Sequence, residues 1–323
     1  MARLLTVILN WRSAEMTLQS AEAALVALTG IEGGLVIVDN DSGDGSFETM
    51  SRVVAERGWD RGPQQVRVVQ SGRNGGFGAG NNFGIRAGLP GGERPDYVYL
   101  LNSDAFPEPA AIRALLAHLE ANPRTGFAGS FLHGTDGEPH RTAFRFPSIP
   151  GEFEAHLRFG PVSRLLRRWI VAQPIPDRSG PVDWLAGASL MMRQDALDAI
   201  GLFDETFFLY FEETDLCRRA KLAGWPMDFV RESRVTHIGG GSTGMKTWQR
   251  IPEFWLDSRW HYFRKQHGAG YAAMATVAAL AGGALWRFRL VFQRKDLGDP
   301  PGFLRDMARH HGRKFVGRGR PAE

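Results

Sequence analysis

Four apolar runs of strand length mark the first hundred residues, and each runs out into polar side chains: LLTVILNW (4–11), GLVIVDN (34–40), VRVVQS (66–71) and DYVYLLNSD (96–104). Within the runs, apolar and polar residues do not alternate, so both faces of each strand must be covered. Helical periodicity fills the gaps, over 14–28, from Ser46 to Arg57, in a short stretch ending near Gly88, and over 108–121 up to Asn122-Pro123. Strand and helix in alternation predict an α/β fold with a mostly parallel central sheet flanked by helices. Ligands of such sheets bind beyond the carboxyl ends of the strands. Those ends carry Asn10, then Asp39 and Asp41, then Arg73 and Asn74, then Asn102 and Asp104. Four successive ends with amide, carboxylate or guanidinium groups point to one shared polar crevice.

Beyond residue 133 the pattern loosens. Pro147, Pro150, Pro161, Pro174, Pro176 and Pro181 interrupt 134–181, which reads as an irregular insertion or acceptor-side region. Regularity returns with VDWLAGASLMMR (182–193), with FFLYFEETDLCRRAKLAG (207–224) as a helix closed by Gly224, and with MDFVRESRVTHIGGGS (227–242) as strands ending in a glycine turn. No internal repeat or low-complexity tract is present.

Cys217 is the single cysteine among 323 residues, so no disulfide can form within the chain. A reducing compartment is expected, in a bacterium the cytosol. The opening MARLLTVILNW has one basic residue and only a short apolar run, so no secretory leader is expected. Charge is uneven: ten Lys/Arg against three Asp/Glu lie between Arg287 and Arg320, a local net of +7 in a chain whose formal net is +4. The body is therefore mildly acidic and no nucleic-acid partner is expected. Before that tail lies AGYAAMATVAALAGGALW (269–286), apolar but rich in Ala and Gly and near the lower length limit for a membrane span. Three readings stand side by side: a helical region lying on an anionic membrane, a packed helix with a solvated basic tail, or a true span.

SGRNGGFGAGNNFGIRAG (71–88) holds seven glycines and three asparagines. A dinucleotide fingerprint needs G-x-G-x-x-G after the first strand of its unit. From Gly76 and Gly78 the third position falls on Asn81, from Gly78 and Gly80 on Phe83, and the loop follows the third strand. The dehydrogenase reading fails on both counts.

Taken in order, VILNWRS, VDNDSGDGS, RNGGFGAGNNFGI and LLNSDA resemble the nucleotide-sugar half of family 2 inverting glycosyltransferases of GT-A fold. WLAGASLMMR, GLFDETFFLYFEETDLCRRAKLAGW and VTHIGGGST resemble the acceptor half, and the nearest subgroup is the rhamnosyltransferase-like enzymes of bacterial polysaccharide assembly. The likeness covers about 3–267. It implies one GT-A domain over 1–267, with a nucleotide-sugar half at 1–133 and an acceptor half at 134–267, followed by a helical, basic extension at 268–323.

The resemblance also implies chemistry. Negative charge builds on a departing diphosphate, and a divalent cation, Mg2+ or Mn2+, is the usual counter-charge. LLNSDA resembles the family's Asp-x-Asp strand end with Asn102 in the first place, leaving Asp104 as metal ligand; His237 matches the histidine that completes the site. Asp39 is assigned the imide N–H of a uracil or thymine ring and Asp41 the ribose, while Asp44 caps the following helix. Arg73 and Asn74 reach base or diphosphate, and Asn81 or Asn82 anchors the loop or contacts the donor; Asn10 closes the same crevice. In YFEETDLCRRA the second acidic position carries the base, which is Glu213, with Glu212 as the alternative because adjacent helix residues point about 100° apart. Asp215 and Arg219 read as an i, i+4 pair. Trp184 and Gly187 of DWLAGAS are candidates for the acceptor subsite, Trp184 equally for core packing, and Cys217 reads as a core residue. The expected partners are a dTDP- or UDP-sugar, a glycan or lipid-linked saccharide acceptor and the inner face of the cell membrane. Two rivals are a nucleotide-sugar pyrophosphorylase, whose first-strand signature LNWRSAEM lacks, and a non-catalytic binding module, which would not need the acidic cluster.

Overall fold

The computed structural model describes residues 2–239, 248–293 and 298–317. The chain forms two compact units, one from Met1–Phe144, Pro174–Phe208 and Glu212–Thr243, the other from Arg145–Gln173, Leu209–Phe211 and Gly244–Glu323.

In the first unit the order is β1 (Arg3–Asn10), α1 (Ala14–Ala27), β2 (Glu32–Asp39), α2 (Ser46–Glu56), β3 (Val66–Gln70), α3 (Gly76–Ala87), β4 (Tyr97–Asn102), β5 (Ala105–Pro107), α4 (Ala111–Ala121), β6 (Phe127–His133) and β7 (Ala143–Phe144). The second unit contributes α5 (Ile149–Leu157) and α6 (Gly160–Leu165). The first then resumes with β8 (Gly180–Val182), β9 (Trp184–Leu185), β10 (Ser189–Arg193), α7 (Gln194–Ile200), α8 (Glu212–Leu222) and β11 (Met227–His237). Last come α9 (Glu253–His267), α10 (Ala269–Gln293) and α11 (Phe303–Val316) of the second unit.

Among the described residues nine strands form one sheet in the order β3-β2-β1-β4-β10-β6-β11-β5, with β8 also on β11. The first four are parallel, as their apolar runs predict; β10 then joins β4 and β6 in antiparallel fashion, so the sheet beyond β4 is mixed. Val7 and Ile8 are both fully buried, which is why β1 shows no alternation. Ile8 and Ile37 join a core with Leu18 and Ala21 of α1, Met50 of α2 and Leu115 of α4. On the other face, Val7 and Val38 lie against Gly84 of α3. Burying each such side chain stabilises the unit by about 1.5–3 kcal/mol.

β11 is a single strand, not several. Val230 pairs with Ser130 and Arg234 with Phe131, so residues 231–233 bulge out of the ladder with β6. Ser233 is buried, its hydroxyl 2.7 Å from that of Ser130, and the Arg231 amide donates to Ser179 Oγ at 2.8 Å. The expected glycine turn at 240–242 lies outside the described residues.

Two of the prolines that suggested irregular chain instead open helices. Pro150 sits in the first turn of α5, where Ser148 Oγ accepts the Gly151 N–H at 3.3 Å, and Pro161 sits in the first turn of α6. Proline is harmless there because those N–H groups have no partner within the helix. The helix expected over 207–224 starts only at Glu212, because Tyr210 and Phe211 carry left-handed φ of 69° and 71°. For non-glycine residues that conformation is uncommon and strained.

In the second unit, Ile251, Leu256, Ala279, Phe303 and Met307 form a small core. Beside it Arg259 is fully buried and donates to Glu152 Oε2 (2.7 and 3.1 Å), Thr276 Oγ1 (3.2 Å) and the Ala275 carbonyl (3.1 Å). α10 buries Ala272, Ala275 and Ala279 on one side and exposes Met274, Val277, Leu285, Phe288 and Phe292 on the other. It is long and apolar enough to cross a membrane by length and composition, although 44% of its apolar window is buried in the protein.

Candidate active site

The parallel register carries Asn10 and Asp39 to adjacent strand ends. Asp39 is buried: its Oδ1 accepts Asn10 Nδ2 at 2.8 Å and Ser42 Oγ at 2.6 Å, and its Oδ2 accepts the Ser42 N–H at 3.2 Å. Asn10 Oδ1 accepts Thr17 Oγ1 at 2.7 Å. Both side chains thus knit β1, β2 and the start of α1 into a rigid floor, and the open acceptor capacity of Asp39 lies on Oδ2. Asp41 is exposed with a left-handed φ of 58°. Gly45, not Asp44, is the residue before α2; the Asp44 carboxylate instead accepts the Ser46 N–H at 3.0 Å, and the Ser46 hydroxyl, ahead of that backbone bond, lowers its pKa.

The glycine loop is held from both ends. Asn74 Oδ1 accepts Asn40 Nδ2 and the Gly76 N–H, each at 3.0 Å. Gly76 has a φ of +84°, and a Cβ there would lie 1.8 Å from the Phe208 carbonyl oxygen, which accepts the Phe77 N–H at 2.9 Å. Only glycine fits so close an approach. Asn82 is fully buried; its amide donates to the Phe203 carbonyl (2.9 Å) and Glu205 Oε1 (3.0 Å) and accepts the Phe203 N–H (3.0 Å). Of the two roles open to it, this arrangement is that of an anchor. Glu205 also pairs with Arg86 (2.8 Å) and with Arg73 (3.0 Å), whose guanidinium is largely exposed.

β5 and β11 bring the next pair together. His237 is registered opposite Ala105, next to Asp104, and its Nε2 lies 3.2 Å from Asp104 Oδ1. Burial alone would raise the Asp104 pKa, but the His237 ring and the backbone N–H groups of Asp104 and Gly239 together bring it below the usual value. Two adjacent ligands around a divalent cation with bonds of about 2.0–2.2 Å stand about 3.0–3.5 Å apart. A buried carboxylate and an imidazole at this spacing fit such an ion.

A short chain of backbone contacts links this edge to α8. The Asn102 N–H donates to the Ala188 carbonyl (3.0 Å), and the neighbouring Gly187 N–H donates to Glu213 Oε1 (3.3 Å). Desolvation raises the Glu213 pKa, opposed by backbone N–H groups including that of Gly187. Glu212, 1% exposed, lies instead against Gly78, its Cβ 3.7 Å from where a Cβ on that glycine would stand. The two glutamates therefore split as helix geometry requires, and Glu213 is the one on the Gly187 side. A Cβ at Gly187 would meet Phe77 Cζ at 2.9 Å and Glu213 Cγ at 3.1 Å. Asp215, fully buried, accepts Arg219 Nε at 2.9 Å, and Arg219 also donates to the carbonyls of Ile200 (2.6 Å) and Leu202 (2.7 Å). Trp184 stacks on Phe144 with centroids 4.1 Å apart. Burial pushes the Cys217 thiol up to about 12, which leaves it an inert core residue.

Sequence reasoning missed Asn40, Glu205 and Phe77, and also His140, whose ring centroid lies 6.0 Å from that of His237. None carries a local signal, because each acts through residues distant in sequence.

Solved structures share this fold. The mannosyltransferase PcManGT from Pyrobaculum calidifontis, in complex with GDP-Man and Mn2+, matches with a TM-score of 0.58 at 13% identity, covering 98% of this chain and 88% of that one. Residues 1–349 of S. aureus TarS in complex with UDP-GlcNAc match with a TM-score of 0.55 at 13% identity, covering 98% and 83%. The fold is that of the GT-A glycosyltransferases. The family model described as glycosyltransferase like family 2 matches residues 4–262, and the chain belongs to that family. A Mycobacterium tuberculosis N-acetylglucosaminyl-diphospho-decaprenol L-rhamnosyltransferase is 32% identical over 223 residues, 65% of this chain and 68% of its own. The chain is thus a family 2 glycosyltransferase of rhamnosyltransferase type.

Proposed function

We propose that the protein is an inverting glycosyltransferase that moves a sugar, rhamnose by preference, from a dTDP- or UDP-sugar to a lipid-linked saccharide in bacterial surface polysaccharide synthesis. The carrying observation is Glu213, a desolvated carboxylate bonded to the Gly187 N–H, one residue from the backbone bond that reaches Asn102. A carboxylate of raised pKa is a competent general base near neutral pH. Glu213 takes the proton of the acceptor hydroxyl as its oxygen bonds to the anomeric carbon. The bond from that carbon to the phosphate oxygen breaks, and displacement from the opposite face inverts the configuration. Asp39 Oδ2 accepts from the base, Asp41 takes the ribose, and Arg73 leaves Glu205 for the diphosphate. Asp104 and His237 would hold a Mg2+ or Mn2+ ion, whose charge would stabilise the leaving group, and Asn102 adds a neutral contact.

The name of the mycobacterial relative supports rhamnose and a lipid-diphosphate acceptor. The exposed apolar side of α10 and the basic residues from Arg287 onward support work at the cytoplasmic membrane face. A melting-temperature screen with UDP, dTDP, GDP and ADP, each with and without Mn2+, tests the donor site. Stabilisation by dTDP or UDP that needs Mn2+ is expected; no response to any nucleotide would sink the donor reading. Turnover of dTDP-rhamnose with a lipid-linked acceptor separates the enzyme from a module that only binds.

A further inference from the structure

The second unit holds a cluster that glycosyl transfer does not use. Glu253 opens α9 and Asp257 follows one turn later, so both carboxylates lie on one helix face. α11 brings His310 to that face: its Nε2 is 3.2 Å from Asp257 Oδ1 and 3.7 Å from Glu253 Oε1. One donor atom from each residue falls within 4.8 Å of the others. His310 is only 4% exposed, yet among the described residues neither ring nitrogen has a hydrogen-bond partner. A buried imidazole bare at both nitrogens is rare and calls for a ligand. Tetrahedral Zn2+ with bonds of about 2.0–2.1 Å sets its ligand atoms about 3.3–3.4 Å apart. The observed separations of 3.2 and 3.7 Å bracket that value.

We propose that Glu253, Asp257 and His310 form a divalent transition-metal site, with Zn2+ the best-fitting ion, that pins α11 to the first turns of α9. Mixed carboxylate and imidazole ligands suit that class of ion, and water completes its shell. Lys314 is the resident competitor: its Nζ lies 2.7 Å from Asp257 Oδ1, but its side chain is half exposed and can swing to water. The adjoining cavity of about 530 Å3 is also lined by Arg250, Arg309 and Arg313. Of these, Arg250 is already held by Asp306 at 2.7 and 3.0 Å.

The test is Zn2+ titrated into the EDTA-stripped full chain without nucleotide, followed by calorimetry and by melting temperature. One Zn2+ per chain and an upward shift are expected, and both persist when Asp104→Asn and His237→Ala disable the other candidate cation site. His310→Gln and Asp257→Asn should each weaken binding at least about tenfold, and Lys314→Met should tighten it. Asp257→Asn, at a partly exposed position, carries the test if His310→Gln fails to fold. Absence of Zn2+ binding, or binding indifferent to both substitutions, overturns the proposal. So does stabilisation by inorganic phosphate in place of Zn2+, lost in Arg309→Ala and Arg313→Ala, which would assign the cavity to an anion.

Discussion

At the scale of single residues, Glu213 combines two opposed demands. Its native pKa is raised by desolvation, so the folded state holds the proton more tightly than the unfolded chain does. That contribution to stability is complete at acid pH and is lost as pH rises through the raised value. Glu213→Gln, which imitates the protonated form, should therefore melt no lower than the parent at pH 8 and at the same temperature below pH 4, while turnover falls about 10²–10⁴-fold with nucleotide binding kept. The acidic limb of the kcat/KM profile should lie above the ordinary glutamate value of 4.5; a limb at or below it would remove Glu213 as base. Gly187→Ala tests the same spot sterically. Its new methyl meets Phe77 and Glu213 within 3.1 Å, so we expect about 1–3 kcal/mol of destabilisation and a fall in kcat larger than the change in KM.

Among the elements, α3 depends on a clip that sequence alone hides. Glu205 binds Asn82, Arg86 and Arg73 together, and the Asn82 hydrogen bond, ahead of the two arginines, lowers its pKa. The depressed carboxyl stabilises the unit above the unfolded value and loses that contribution as pH falls through its native one. Glu205→Ala should speed amide exchange across 76–87 at neutral pH, by a smaller factor once the pH has fallen through the depressed native pKa, where the parent is also protonated. The strands and their polar ends were legible because a sheet covered on both faces demands unbroken apolar runs. The α1, α2 and α4 boundaries came within a few residues for the same reason of period. What escaped was long-range or conformational. Glu205 and Asn82 are 123 residues apart, Pro150 and Pro161 open helices instead of breaking them, and left-handed Tyr210 and Phe211 delay α8. The meeting of Asp104 with His237 rests on the β5–β11 register, which the family resemblance anticipated but no local pattern encodes.

At the scale of the whole molecule, two units are held by different means, a large apolar sheet core and a small core around a buried ion pair. Arg259→Met leaves Glu152 buried without its partner, and such a loss costs about 3–5 kcal/mol; chemical denaturation should show an earlier transition. Burial, with the nearby Arg259 charge, pulls His311 down to about 3. The ring is therefore neutral when folded and charges when unfolded, so stability should fall between about pH 6.5 and 3, and His311→Gln should flatten that slope. No composition signal foretold that 145–173 would join 244–323 in one unit. The exposed stripe Met274, Val277, Leu285, Phe288 and Phe292 predicts sedimentation with phosphatidylglycerol vesicles, abolished by Phe288→Asp with Phe292→Asp and weakened by salt. In β11, the bulge at 231–233 separates a first half registered to β6 and β8 from a second half registered to β6 and β5, the latter ending beside Asp104. The bulge is thus slack in the thread: a residue gained or lost there would retune the spacing between imidazole and carboxylate while the paired stretches on either side kept their ladders.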